Sequence, residues 1–119
     1  MNWIMTGALS AFVSVAAGAF GAHALKERLS DNLLNAFEVG VRYQMYHALA
    51  LILMGLLMSK IPAANTAAWC FLVGTFLFSG SLYGLALTGL KFLGPITPIG
   101  GVVLMAGWVI LAWSSYGQA

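Results

Sequence analysis

The sequence predicts an all-α integral membrane protein: four transmembrane helices in an antiparallel bundle, with a short amphipathic interfacial helix after the first. Three observations carry this. Of 119 residues, 61% are hydrophobic and only 7% are charged, whereas a soluble domain carries about 25% charged residues. The charges, Lys26, Glu27, Arg28, Asp31, Glu38, Arg42, Lys60 and Lys91, leave uncharged runs over 1–25, 43–59, 61–90 and 92–119. Crossing the hydrocarbon takes roughly 20 apolar residues as a helix. A backbone in lipid must bond its own polar groups, so such runs are helical. A soluble four-helix bundle would need polar outer faces, which these runs lack.

The first helix is expected over about 3–25. Ala22-His23-Ala24 imitates a signal-peptide cleavage site, but no basic residue precedes Lys26 and the apolar run is too long. The expectation is a retained helix. Over 29–40, Leu33, Leu34 and Phe37 share one helical face, continued by Val41, with Asp31, Asn32, Asn35 and Glu38 largely opposite. That pattern predicts an amphipathic interfacial helix with Ser30 as N-cap. Gly40 is read as the bend into the second helix, about 41–59, which Lys60-Ile61-Pro62 ends. The third helix is expected over about 65–90 and the fourth over about 96–116, with Thr97 as N-cap and Pro98 at the first helical position.

Four spans place both termini on one side. Lys26, Arg28, Arg42 and Lys91 fall on the other, so the positive-inside rule makes that side cytoplasmic and the termini non-cytoplasmic. Trp3, Trp69 and Trp113 collect at the terminal side, as an interfacial belt would. A faint repeat aligns Gly18 to Leu25 with Gly80 to Leu87, as a duplicated hairpin would. Small residues also recur at helical spacing. Gly80 and Gly84 form a GxxxG, and Ser14, Gly18 and Ala22 form a second ladder. Such faces let helices approach closely, either within one chain or between copies.

Polar residues concentrate toward the basic side: His23, Glu38, Arg42, Tyr43, Gln44, His47, Ser81, Tyr83 and Thr97, joined by Ser79 and Thr88. They are the candidate intramembrane polar layer. Glu38 and Arg42 have the i,i+4 spacing of a helical ion pair if one helix continues through Gly40. Structural glue is the leading reading of that pair. His23 and His47 are open to two readings. Each hydrogen-bonds to a neighbour, or the two serve a haem or a quinone.

Other chemistry is poorly represented. The net charge of +2 is scattered, so no nucleic-acid partner is expected. One cysteine, Cys70, and two histidines do not make a closed zinc site, and neither metal nor other cofactor is expected. No acidic residue follows Glu38, which disfavours a proton-coupled exporter. No phosphate loop, nucleophile elbow or catalytic carboxylate pair occurs, and Gly94 to Gly101 lacks a P-loop lysine. The expectation is therefore that the protein is not an enzyme.

The blocks GAFGAHAL (18–25), YQMYHALAL (43–51), FSGSLYGLALTG (78–89) and PITPIGG (95–101) closely resemble the signatures of the YgdD-like family, domain of unknown function family 423. A eukaryotic relative is transmembrane protein 256. The blocks occur in family order, and the resemblance covers essentially the whole chain. It implies a small four-helix protein of the bacterial inner membrane and supplies no activity, substrate or cofactor. The expected function is that of a non-enzymatic accessory, assembly or lipid-interacting component. Membrane lipid, and a homo-oligomer or membrane-protein partner, are the expected contacts. The alternatives are a small transporter or channel, or a haem- or quinone-binding protein using the layer around His23 and His47.

Overall fold

The computed structural model describes residues 1–116. Four long helices, and no strand among the described residues, make up an all-α membrane protein. Helix α1 spans Trp3–Leu25. Asn2 caps it, its side chain accepting from the Met5 amide at 3.0 Å. Residues Ala17–Gly21 within α1 are wound as a π-helix. Helix α2, Asp31–Leu57, begins at Ser30, whose hydroxyl accepts from the Leu33 amide at 3.3 Å. Helix α3, Ala64–Thr88, ends at Gly89, whose φ of 72° lies in the left-handed region that favours glycine. A 3-10 turn, Lys91–Leu93, leads to α4, Ile96–Tyr116.

The amphipathic segment is not a separate helix, and Gly40 is not a bend. The chain runs unbroken from Asp31 to Leu57. Gly40 is there because of packing: a Cβ on it would lie 2.9 Å from the Tyr83 ring. Thr97 is likewise not the cap of α4. It sits inside the first turn, and its hydroxyl reaches across to Ser81.

Sequential helices are the closely packed pairs: α1 on α2, α2 on α3, α3 on α4. The result is an elongated body of 49 × 26 × 21 Å. Helices α1, α3 and the stretch containing α4 are long and apolar enough to cross a membrane. Helix α2 carries Arg42, Tyr43, Gln44, Tyr46 and His47 in its middle. It lies between α1 and α3 and buries Gln44, His47, Ala48, Ala50, Leu51 and Met54. The core gathers toward the terminal end, where Trp3, Leu51, Met54 and Phe71 pack among Ala64, Ala67 and Ala68. The outer surface is apolar, with Phe12, Phe20 and Phe76 all more than two-thirds exposed. Such a surface suits acyl chains.

Trp3 does not belong to the interfacial belt expected of it: it is 1% exposed, donates its indole N–H to Asn65 at 2.9 Å and meets Trp69 edge-on. Trp69 and Trp113 do remain exposed. The proposed repeat also pairs unlike segments, because Gly18 lies in the π segment against Val41 while Gly80 lies in regular α-helix with open space beside it.

The helices meet at other glycines. A Cβ on Gly7 would lie 2.5 Å from the Ala48 carbonyl oxygen; on Gly55, 2.8 Å from Ile4; on Gly74, 2.6 Å from Leu104; on Gly107, 2.7 Å from Phe71. The Gly80–Gly84 motif is not a helix–helix seam: Gly80 meets nothing within 4 Å, and Gly84 faces Leu93 in the following turn. The Ser14–Gly18–Ala22 ladder packs within the chain, with Gly18 and Ser14 both directed to Val41.

Gly7→Ala is therefore expected to destabilise the fold by about 1–3 kcal/mol, because backbone opposes the new methyl. Gly80→Ala is expected to be neutral or to stabilise by up to about 1 kcal/mol through helix propensity. Unfolding in a denaturing-detergent titration measures both. Equal losses at the two positions would place the seam elsewhere.

Candidate functional site

Gln44 and His47 of α2 are buried against its neighbours, so each must find a partner inside the protein. Gln44 is the hub. Its Nε2 donates to the Ser10 carbonyl at 3.0 Å and to the Ser10 hydroxyl at 3.3 Å. Its Oε1 accepts from the Tyr83 hydroxyl at 2.6 Å. One side chain thereby ties α1, α2 and α3 together. Nearby hydroxyls extend the same logic to the α2 backbone. Ser14 donates to the Val41 carbonyl at 2.8 Å, and Ser79 donates to the Gly40 carbonyl at 2.7 Å. Nearer the loop end, Ser81 and Thr97 share a hydrogen bond of 2.5 Å between α3 and α4.

His47 makes a second bridge. Trp108 of α4 donates its indole N–H to His47 Nε2 at 3.0 Å, and His47 Nδ1 lies 2.8 Å from the Tyr43 carbonyl. Indole N–H is only a donor, so Nε2 holds a lone pair and Nδ1 carries the proton. The ring is thus a neutral imidazole with both nitrogens engaged. Phe71 and Trp108 flank it, with ring centroids 5.5 and 5.7 Å away. Tyr43 is partly exposed and packs on Phe78 at 4.6 Å.

The structure thus brings Gln44, Tyr83 and His47 into the interior and joins Ser81 to Thr97. It leaves His23, Glu38 and Arg42 outside this network. His23 is exposed on the last turn of α1. His47 lies 16 residues beyond Asp31, about 24 Å along α2. The two histidines do not face one another. The helix does continue through Gly40, yet no Glu38–Arg42 ion pair forms among the described residues, and Arg42 is exposed. The polar groups are therefore not a layer at one face but a chain of contacts along the middle of α2.

Sequence reasoning missed Ser10 and Trp108. Ser10 sits in an apolar run with no local signal, and Trp108 reads as one more aromatic of a lipid-facing helix. Ser14 was noticed only for its size.

Two clefts flank this network. The larger, about 400 Å³, opens between α1 and α3, with Gln44 and Leu51 of α2 at its floor and Leu9, Val13 and Phe76 among its walls. The smaller, about 270 Å³, lies between α2 and α4 beside His47 and Trp108. Among the described residues, no three His, Cys, Asp or Glu side chains gather as metal ligands.

Comparison with known proteins places the chain in context. Residues 17–101 match a family model described as "Protein of unknown function (DUF423)". The chain is 47% identical to the UPF0382 membrane protein SH2409 of Staphylococcus haemolyticus, over 96% of this chain and 94% of the relative. It is 43% identical to the UPF0382 membrane protein YwdK of Bacillus subtilis, over 92% of this chain and 91% of the relative. No solved structure matches.

Tyr83→Phe is expected to lower stability by about 1–3 kcal/mol, because it strands Gln44 Oε1 in an apolar interior. A double-mutant cycle with Gln44→Leu, read by detergent-induced unfolding, should return a coupling of about 0.6–1.7 kcal/mol. Additive losses would show that the two side chains do not interact.

Proposed function

The chain belongs to the DUF423 family, and from that membership and its geometry we propose that it is a non-enzymatic accessory or assembly component of the bacterial inner membrane that interacts with lipid. The observation that carries this reading is how the interior polar groups are used. Gln44, Tyr83, His47, Ser14 and Ser79 are each bonded to another part of the protein. Such a network fixes helix positions and, among the described residues, leaves no activated nucleophile or acid–base pair aimed at a substrate. The exposed apolar surface and the cleft between α1 and α3 supply the lipid contact.

The haem reading through His23 and His47 lacks geometric support. His47 has both ring nitrogens engaged, and His23 is exposed on the last turn of α1. The transporter reading has no more specific feature in its favour: Gln44, Tyr83, Ser14 and Ser79, which would line a path, are tied into bonds between helices.

Crosslinking in native membranes is expected to trap a second copy or a membrane-protein partner. Monomer alone at every crosslinker length overturns the assembly role. The basic loop residues Lys26, Arg28 and Lys91 favour a cytoplasmic loop side and termini on the opposite face. Labelling of single cysteines placed at Asn2 and at Lys26 with a membrane-impermeant thiol reagent on whole cells, in a Cys70→Ala background, checks it. Reaction at Lys26 but not at Asn2 would reverse the orientation.

A further inference from the structure

The larger cleft holds hydroxyl protons that the protein itself does not use. Threonines in membrane helices ordinarily return their hydroxyl to the carbonyl four residues earlier. Thr6 does so to Asn2, and Thr88 does so to Gly84. Thr75, in the middle of α3, does not: the residue lines the cleft, and its hydroxyl oxygen is buried just behind that wall with no hydrogen-bond partner among the described residues. Ser10 lines the same cleft, and its oxygen accepts from Gln44 Nε2. Its own O–H has no acceptor among the described residues. No charged residue lines the cleft. The cleft therefore has apolar walls and, among its lining residues, two neutral hydroxyls without an acceptor, Ser10 and, once its side chain turns inward, Thr75; this is the chemistry that receives an acceptor oxygen on an apolar body.

Depth narrows the class. Thr75 lies 11 residues from the start of α3 and 13 from its end, about 16 and 20 Å along the axis. In a hydrocarbon core about 30 Å thick this is near the midplane. The ester carbonyls of phospholipids stay with their headgroups at the interface, so they do not reach this depth. A carbonyl that dissolves in the core does.

We infer that the cleft between α1 and α3 binds an apolar carbonyl compound of the isoprenoid-quinone class, with Thr75 and Ser10 donating to its carbonyl oxygen. This deepens the lipid-interacting reading and rests on it. It does not involve the histidines. Gly80 belongs to the site as well: it lines the cleft, and a Cβ there meets nothing within 4 Å, so its missing side chain leaves room for a ligand rather than for a helix.

The test uses the full chain in phosphatidylcholine nanodiscs and a decyl-benzoquinone with a photoreactive diazirine on its tail. Labelling is expected at Leu9, Val13 and Phe76. Unlabelled decyl-benzoquinone should displace it, and decylbenzene, which lacks the carbonyls, should not. Thr75→Val should weaken displacement about two- to tenfold, the loss of one hydrogen bond. Gly80→Leu should abolish labelling while the unfolding midpoint holds. Equal displacement by decylbenzene, or wild-type displacement in Thr75→Val, overturns carbonyl recognition. If phosphatidylcholine with a diazirine in its acyl chain still labels the cleft, the lipid-interacting reading survives that failure. If neither probe labels the cleft, both fall.

Discussion

Everything in this fold depends on the amide of Gln44. An amide buried among apolar helices must have both its ends bonded, and here each end is claimed by a different neighbour. Ser10 takes the nitrogen and Tyr83 the oxygen. The requirement is local, but its consequence is global, because the partners belong to the helices on either side. In lipid there is little hydrophobic drive for helices to associate, so packing and hydrogen bonds between helices carry that role. Gln44 sets which turn of α1 faces which turn of α3. His47 and Trp108 do the same between α2 and α4.

Close approach makes such short side chains sufficient. Serine reaches a neighbouring backbone carbonyl only when the helices nearly touch. The glycines at 7, 55, 74 and 107 supply that contact, each facing backbone or a side chain that a methyl group would strike. Alanines at 50, 64, 67 and 68 continue the same thin seam through the core. The large side chains are mostly displaced outward, to the lipid surface. The interior is thus built from small residues and a few polar ties.

The division of the chain into helices was legible because charge is so rare: each internal helix boundary falls near a charged residue, a proline or a glycine. The importance of Gln44, His47 and Tyr83 was legible too, since polar groups in apolar helices demand partners. Their partners were not. Which serine of α1 meets Gln44 depends on the register between helices, and no single-sequence pattern encodes it. Gly40 shows the limit clearly. A glycine between an amphipathic and an apolar segment reads as a hinge, yet it is a contact for the Tyr83 ring inside an unbroken helix. Gly80 shows the converse, because a GxxxG spacing says nothing about whether a helix lies opposite. His23 was drawn to His47 by shared side and residue type alone.

The tautomer of His47 has an electrical consequence. Its protonated nitrogen points at a carbonyl and its bare nitrogen receives an indole N–H, so the buried ring carries no charge. Gln44, Tyr83 and the buried serines add dipoles but no formal charge. The force that a transmembrane potential exerts scales with the charge it acts on, about 2.3 kcal/mol per elementary charge per 100 mV. The tied interior offers that field nothing to move. Any response of this protein to membrane voltage has to begin at its periphery, on exposed Arg42 or the charges of the loops.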